Sequence, residues 1–133
     1  MEKLEHIGIA VKDIDQSNKL FARLLGRKHY KMEEVNSEGV RTSFFELAGI
    51  KIELLEATDP DSPVAKFIDR RGEGIHHLAF EVSDIHESLK QYGEKGFEVI
   101  NPQPKSGADN KMIFFLHPKS TNGVMIELCQ EKK

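Results

Sequence analysis

Hydrophobic and polar residues alternate first in "HIGIAV" at 6–11, where Ile7, Ile9 and Val11 fall on one side and His6, Gly8 and Ala10 on the other. A period of two is the signature of a half-buried strand. Asp13 or Asp15 then caps a helix of about ten residues that stops at Gly26. Strands follow near 28–34, in "TSFFEL" at 42–47 and in "IKIELL" at 50–55. "SPVAKFIDRRG" is a separate helix, with Ser62 as N-cap, Pro63 at the first helical position and Gly72 beyond the end. The pattern then starts again. Strands are predicted at 77–82, 97–100, 112–116 and 124–129, with a helix from about 85 to 95 ended by Gly96. "NPQPKSGADN" at 101–110, with two prolines and a glycine, reads as a surface loop and a candidate lid.

The second series repeats the first. A shift of 71 residues pairs 6–19 with 77–90, and six of the fourteen positions are identical: His6/His77, Val11/Val82, Asp13/Asp84, Ile14/Ile85, Ser17/Ser88 and Lys19/Lys90. A shift of 74 pairs "GIKIEL" at 49–54 with "GVMIEL" at 123–128, and so Glu53 with Glu127. The chain is therefore read as one domain, 1–133, made of module one at about 1–58, a linking helix at about 62–72 and module two at about 75–133. Each module is a βαβββ unit. The class is α+β, with two tandem units related by a pseudo-twofold axis and forming a cupped mixed sheet.

The repeat changes the meaning of the histidines. The apolar face of each first strand is needed to cover a helix, which leaves His6 and His77 on the opposite face beside small residues. In the last strand of each module Ile52 and Leu54, or Ile126 and Leu128, take the apolar face, so Glu53 and Glu127 point the other way. Packed about a pseudo-twofold, two histidines and two glutamates converge in one cup. Carboxylates at strand centres are costly to bury unless paired or metal-bound. Two imidazoles and two carboxylates form a mixed N/O set suited to a divalent first-row ion with positions left for substrate. A single such residue would be an ordinary strand histidine or an edge glutamate; a duplicated pair at matching positions points to metal.

Composition narrows the class without naming a chemistry. The net charge of −3 offers no basic field for nucleic acid, and no basic–aromatic interleaving suggests such a surface. No apolar stretch approaches the roughly 18 residues needed to cross a bilayer, and "MEKLEHIGIAV" lacks a signal-peptide layout. The single Cys129 fits a reducing compartment. A cytoplasmic protein without membrane or nucleic-acid partners is expected.

"DSPVAKFIDRRGEGIHHLAFEV" and "HPKSTNGVMIEL" resemble the vicinal oxygen chelate (glyoxalase/bleomycin-resistance) superfamily and, within it, the methylmalonyl-CoA epimerases. The resemblance runs from "HIGIAV" to "ELCQ". It implies a metal-dependent isomerase acting on an acyl-CoA, with one divalent ion (Co²⁺ foremost, Zn²⁺, Ni²⁺ or Mn²⁺ as alternatives) bound by His6, Glu53, His77 and Glu127. It also implies a homodimer. His77, which pairs with His6, is the ligand of the "HH" doublet, and His76 turns to the other face or the sheet edge. The implied reaction is epimerisation of (R)/(S)-methylmalonyl-CoA by proton abstraction and return at the carbon α to the thioester. Glu127 is the implied base.

This chain departs from some bacterial epimerases, which have a glutamate where it has Thr42 and a glutamine where it has Glu53. Thr42 is no base near neutral pH, so Glu53 is expected to supply the second carboxylate as well as a ligand. The same quartet keeps a glyoxalase I-like lactoylglutathione lyase in view, with a metal-free ligand-binding or resistance protein behind it. "HPKSTNGVMIEL" and the "SPVAKF" helix favour the epimerase. Lys119, Ser120, Lys105 and Lys111 are candidates to meet coenzyme A phosphates. His117 is expected to cap its turn, and His29 and His86 to lie on the surface.

Overall fold

The computed structural model describes residues 1–132. The chain divides into two compact units, His6–His76 and a second that joins Met1–Glu5 to the chain from His77 onward. Each is an α+β arrangement on a four-stranded mixed sheet, with two helices in the first unit and one in the second.

The first unit holds β1 (Lys3–Ala10) from His6 on, α1 (Ile14–Leu25), β2 (Lys31–Val35), β3 (Val40–Leu47), β4 (Ile50–Ala57) and α2 (Pro63–Arg71). Its strand order is β2-β3-β4-β1, with β1 parallel to β4 and the other pairs antiparallel. Asp13 begins α1 by accepting the Gln16 N–H at 3.1 Å. Gly26 ends it in the left-handed region (φ 72°), its N–H donating to the Ala22 carbonyl, a conformation glycine adopts without a Cβ clash. One sheet face packs Val11, Phe45 and Leu54 against Ile14, Phe21 and Leu25 of α1. The opposite face packs Ala10, Val40 and Leu55 against Val64, Phe67 and Ile68 of α2. Ser62 caps α2 through the Ala65 N–H at 3.1 Å, as the sequence predicts.

The second unit repeats the scheme with β5 (Gly74–Glu81) from His77 on, α3 (Ile85–Glu94), β6 (Lys105–Ser106), β7 (Lys111–Leu116) and β8 (Ile126–Glu131). The strand order is β5-β8-β7-β6, with β5 parallel to β8. Asp84 caps α3 through the Glu87 N–H at 3.1 Å. Val82, Phe114, Leu116 and Leu128 pack under Ile85, Leu89 and Tyr92 of the helix.

The repeat extends below the identities visible in the sequence. The Val11 N–H donates to Leu55 O and the Val82 N–H to Leu128's neighbour Cys129 O, both at 2.9 Å. The Ile14 N–H donates to the Glu56 carboxylate and the Ile85 N–H to the Gln130 carboxamide, again both at 2.9 Å. Each helix N-terminus thus gives one of its otherwise unsatisfied amides to the side chain three residues past Glu53 or Glu127.

Two expectations change. The strand predicted at 97–100 reduces to a single bridge, Val99 to Leu116. The chain there meets β7 through Ile100 N–H to Phe115 O, but the Phe115 N–H goes to the Asn101 side chain, and Pro102 has no N–H to continue a ladder. The edge strand is instead β6, inside the supposed lid. Lys105 pairs with Ile113 and Ser106 with Met112, and the Gly107 N–H donates to Lys111 O at 2.9 Å. A Cβ on Gly107 would stand 2.8 Å from Ile113 Cδ1. The segment is stitched to the sheet, not draped over it.

Candidate functional site

Register decides where the four candidate residues go. In the first unit Gly8 of β1 lies opposite Glu53 of β4, and Phe44 of β3 lies on its other side. In the second, Ala79 of β5 lies opposite Glu127 of β8, with Phe115 of β7 on the far side. Each histidine is two residues before the small residue and so shares its face. Gly8 and Ala79 carry too little side chain to block the space between histidine and glutamate.

The result is the same pair twice. His6 Nδ1 lies 3.1 Å from Glu53 Oε2, and His77 Nε2 lies 3.3 Å from Glu127 Oε1. All four residues are buried, at 4, 3, 5 and 5% exposure for His6, Glu53, His77 and Glu127. Imidazole and carboxylate at hydrogen-bonding distance satisfy part of each other's polarity, yet burying them costs several kcal/mol per charge before pairing, on the order of magnitude seen for buried ions. Each pair also offers one N and one O donor, the combination that suits divalent first-row ions. His6 with Glu53, and His77 with Glu127, are thus the candidate ligand pairs of their units.

The aromatic residues divide as the alternation predicts. Phe45 and Phe114 join the helix-side cores, and Phe44 and Phe115 take the histidine–glutamate face. The His77 ring meets Phe115 edge-on with centroids 5.9 Å apart. Phe114 is fully buried, whereas Phe115 is only half-buried, so this face of the second unit stays partly open.

Thr42 lies on the same face as Phe44 and Glu53, opposite Leu55. It is fully buried, and its Oγ1 has no hydrogen-bond partner among the described residues. His76 is held by α2, its ring edge-on to Phe67 at 5.0 Å. Burial lowers its pKa to about 4, so it is neutral at physiological pH. Cys129 is fully buried, and desolvation, reinforced by the charges of Glu127 and Glu5, pushes its thiol pKa up; it is no nucleophile. His117 caps its turn, accepting the Lys119 N–H at Nδ1, and His86 is exposed. His29 is not a plain surface residue: it is half-buried with its ring edge-on to Phe45 at 6.0 Å. Its place just before β2 folds it onto the core.

The lysines considered for coenzyme A separate. Lys119 is exposed and pairs with Glu98 at 3.4 Å. Lys111 is buried beside Glu131 at 3.8 Å. Lys105 extends over the Phe115 ring, with Nζ 5.9 Å from its centroid. Sequence reading passed over Glu5, buried at 4% on β1, because an isolated carboxylate near a chain start carries no spacing signal. It passed over Glu56 and Gln130 as well, although the shift of 74 residues aligns them.

Among the described residues, no helix is long and apolar enough to cross a membrane. A family model described as the Glyoxalase/Bleomycin resistance protein/Dioxygenase superfamily matches residues 5–115. The mitochondrial methylmalonyl-CoA epimerase of Dictyostelium discoideum is 39% identical over 95% of this chain and 76% of its own length. The ethylmalonyl-CoA/methylmalonyl-CoA epimerase of Cereibacter sphaeroides is 36% identical over 96% of this chain and 97% of its own. Among solved structures, a variant of the Streptomyces coelicolor methylmalonyl-CoA epimerase in complex with 2-nitronate-propionyl-CoA superposes with a TM-score of 0.95 at 32% identity, covering 100% of this chain and 99% of that one. The α+β fold expected from the repeat, and its glyoxalase type expected from the resemblance, are thereby borne out.

Proposed function

We propose that this chain, which belongs to the Glyoxalase/Bleomycin resistance protein/Dioxygenase superfamily, is an isomerase that interconverts the epimers of methylmalonyl-CoA. The observation that carries the reading is the duplicated, buried histidine–glutamate pair, set by the same register in both units, in a chain whose relatives bear the names of acyl-CoA epimerases.

The chemistry follows from the substrate. Its α-carbon lies between a thioester and a carboxylate, and loss of the α-proton leaves an enolate whose charge sits on the thioester oxygen. The donor set fits one divalent ion held by His6, Glu53, His77 and Glu127, Co²⁺ foremost. Bound there, such an ion would supply Lewis-acid stabilisation of that oxygen. Glu127 takes the proton: the C–H bond breaks and its electron pair enters the enolate. Glu53, protonated, returns a proton to the opposite face, which inverts the centre. The buried setting of both carboxylates excludes bulk water and keeps acid and base from equilibrating through solvent during the step. Phe115, the register partner of Glu127, gives the α-methyl group an apolar wall. The working form is a homodimer.

Deuterium tests the reading. In D₂O, methylmalonyl-CoA exposed to the metal-loaded protein is expected to gain label at the α-carbon as its epimers interconvert. Label gain should stop on removal of the ion and return with Co²⁺. Rapid conversion of the methylglyoxal–glutathione hemithioacetal, with methylmalonyl-CoA keeping its hydrogen, would overturn the epimerase and favour the lyase.

A further inference from the structure

In the first unit, α1 ends in a turn that is tied down residue by residue. Gly26 closes the helix in the left-handed region and turns the chain back toward the end of β3. Arg27 Nη1 then donates to the Glu46 carbonyl at 2.8 Å. The His29 ring meets Phe45 edge-on at 6.0 Å, and the Tyr30 N–H donates to Phe44 O at 2.8 Å. Three of the four residues 27–30 are thus fastened to three consecutive residues of β3. At this junction lies a cavity of about 410 Å³ lined by Arg27, Lys28, Tyr30 and Glu46. Small-molecule sites run from roughly 300 to 1,000 Å³.

Register links the cavity to Glu53. Phe44 is the partner of Glu53 on one side and of Lys31 on the other. The Tyr30 ring lies against Phe44, with centroids 6.1 Å apart. The cavity therefore begins two strand spacings from Glu53, about 10 Å, within the span of a pantetheine arm. All four lining residues are exposed, so a ligand reaches them from solvent.

The lining selects the ligand class. Two cations suit phosphate, and the planar guanidinium of Arg27 matches its oxygens. A simple anion, however, would be opposed by the Glu46 carboxylate and would leave Tyr30 unused. A phosphorylated adenine nucleotide uses all four residues. Its phosphate meets Arg27 and Lys28, its ring stacks on Tyr30, which is 53% exposed, and its amino group donates to the Glu46 carboxylate. Coenzyme A ends in such a nucleotide, an adenosine with a 3′-phosphate and a 5′-diphosphate. We infer that this cavity binds the nucleotide end of the acyl-CoA and so selects coenzyme A thioesters over the same acyl group on bare pantetheine. The inference rests on the epimerase reading and adds to it a subsite for the handle.

The test uses the metal-loaded protein and two thioesters with one acyl group: methylmalonyl-CoA, and methylmalonyl-pantetheine, which lacks the nucleotide. Arg27→Gln and Lys28→Gln are each expected to raise KM for methylmalonyl-CoA about 10-fold, the low end for a charge-assisted hydrogen bond because the site is open to water. Tyr30→Ala should raise it about 5-fold or more, the loss of one base–aromatic stack. In each variant kcat should hold, as it does when uniform binding is lost, and KM for methylmalonyl-pantetheine should not move. Adenosine 3′,5′-bisphosphate should compete with methylmalonyl-CoA on the wild type and bind the variants more weakly by titration calorimetry. If wild type epimerises both thioesters while the variants change KM for neither, or for both alike, the subsite alone is overturned. Bisphosphate binding that depends on Arg27 and Lys28 but does not compete with methylmalonyl-CoA would mark a site for a free nucleotide and overturn it too. If wild type turns over neither thioester, the epimerase reading fails, and the subsite with it.

Discussion

Leucine at position 77 should destabilise the metal-free protein far more than leucine at positions 77 and 127 together. His77 and Glu127 are 3.3 Å apart with side chains only 6 and 7% exposed. Two unit charges at that separation attract by about 5 kcal/mol at an effective dielectric of roughly 20, the upper bound for a pair whose histidine is charged only when protonated. Removing the imidazole takes that partner from the Glu127 carboxylate while leaving it buried, a change that costs about 3–5 kcal/mol in comparable pairs. Glu127→Leu leaves a neutral imidazole and should cost about 1–3 kcal/mol, the desolvation cost of one polar group. In the double variant neither polar group remains, and two apolar side chains of moderate volume face Ala79 and Phe115; its stability should return to within about 2 kcal/mol of wild type. Urea unfolding in the presence of a chelator measures all four corners of the cycle, with the midpoint moving and the slope constant. Additive losses would refute the reasoning, because they would mean that the two side chains do not depend on one another. The same cycle at His6 and Glu53, 3.1 Å apart, should give a coupling of the same sign. With a divalent ion at about 100 times its Kd, wild type should gain about 2.7 kcal/mol, or about 10 °C in Tm for a chain of this size. No variant of the cycle should gain as much. A wild-type curve that none of Co²⁺, Ni²⁺, Mn²⁺ and Zn²⁺ displaces would refute the metal reading.

Other outcomes follow from single residues. Glu127→Gln should abolish epimerisation and solvent deuterium uptake while the protein still binds metal; turnover near the wild-type rate would remove Glu127 from the chemistry. Thr42→Val deletes a buried hydroxyl that has no hydrogen-bond partner among the described residues, so it should leave stability unchanged or raise it by up to about 1 kcal/mol, with turnover retained; a large loss of kcat would show that the hydroxyl acts on substrate. Cys129, fully buried with its thiol pKa raised, should resist alkylation in the native protein and react only on unfolding, and a fast native reaction followed by mass spectrometry would contradict its placement.

What the sequence made legible is what duplication made redundant. His6 and His77 stand out because identical residues flank both, and alternation along "HIGIAV" and "IKIEL" puts histidine and glutamate on the face away from the helix. Ile9 and Leu54 do lie together in the α1 core, and Gly8 does face Glu53. Register, which brings the pair to 3.1 Å, follows from those two facts once the strands are parallel neighbours. The failures have a different origin. β6 has two residues, too few to show any period, and its existence depends on β7, from which a turn separates it. The strand expected at 97–100 was read from local composition, whereas its fate was settled by Asn101 taking the Phe115 amide. Glu56 and Gln130 escaped because identity was the criterion; their shared property is a side-chain oxygen that accepts a helix amide, which either residue type provides.

Stability alone gives no reason for the two buried pairs. A buried histidine–glutamate pair is commonly matched or exceeded in stability by well-packed apolar residues of similar volume, and both units already have apolar cores under α1 and α3. Fixing strand register is the other structural role open to a polar pair. Here the register is already set by alternation against the helix-side core, since a slip of one residue would turn Leu54 or Leu128 out of it. The pairs are therefore surplus to the fold in both units. The modules agree in only part of their sequence, yet each keeps its histidine, its glutamate and a small residue opposite that glutamate. Such agreement is expected of residues held in place by the chemistry they perform.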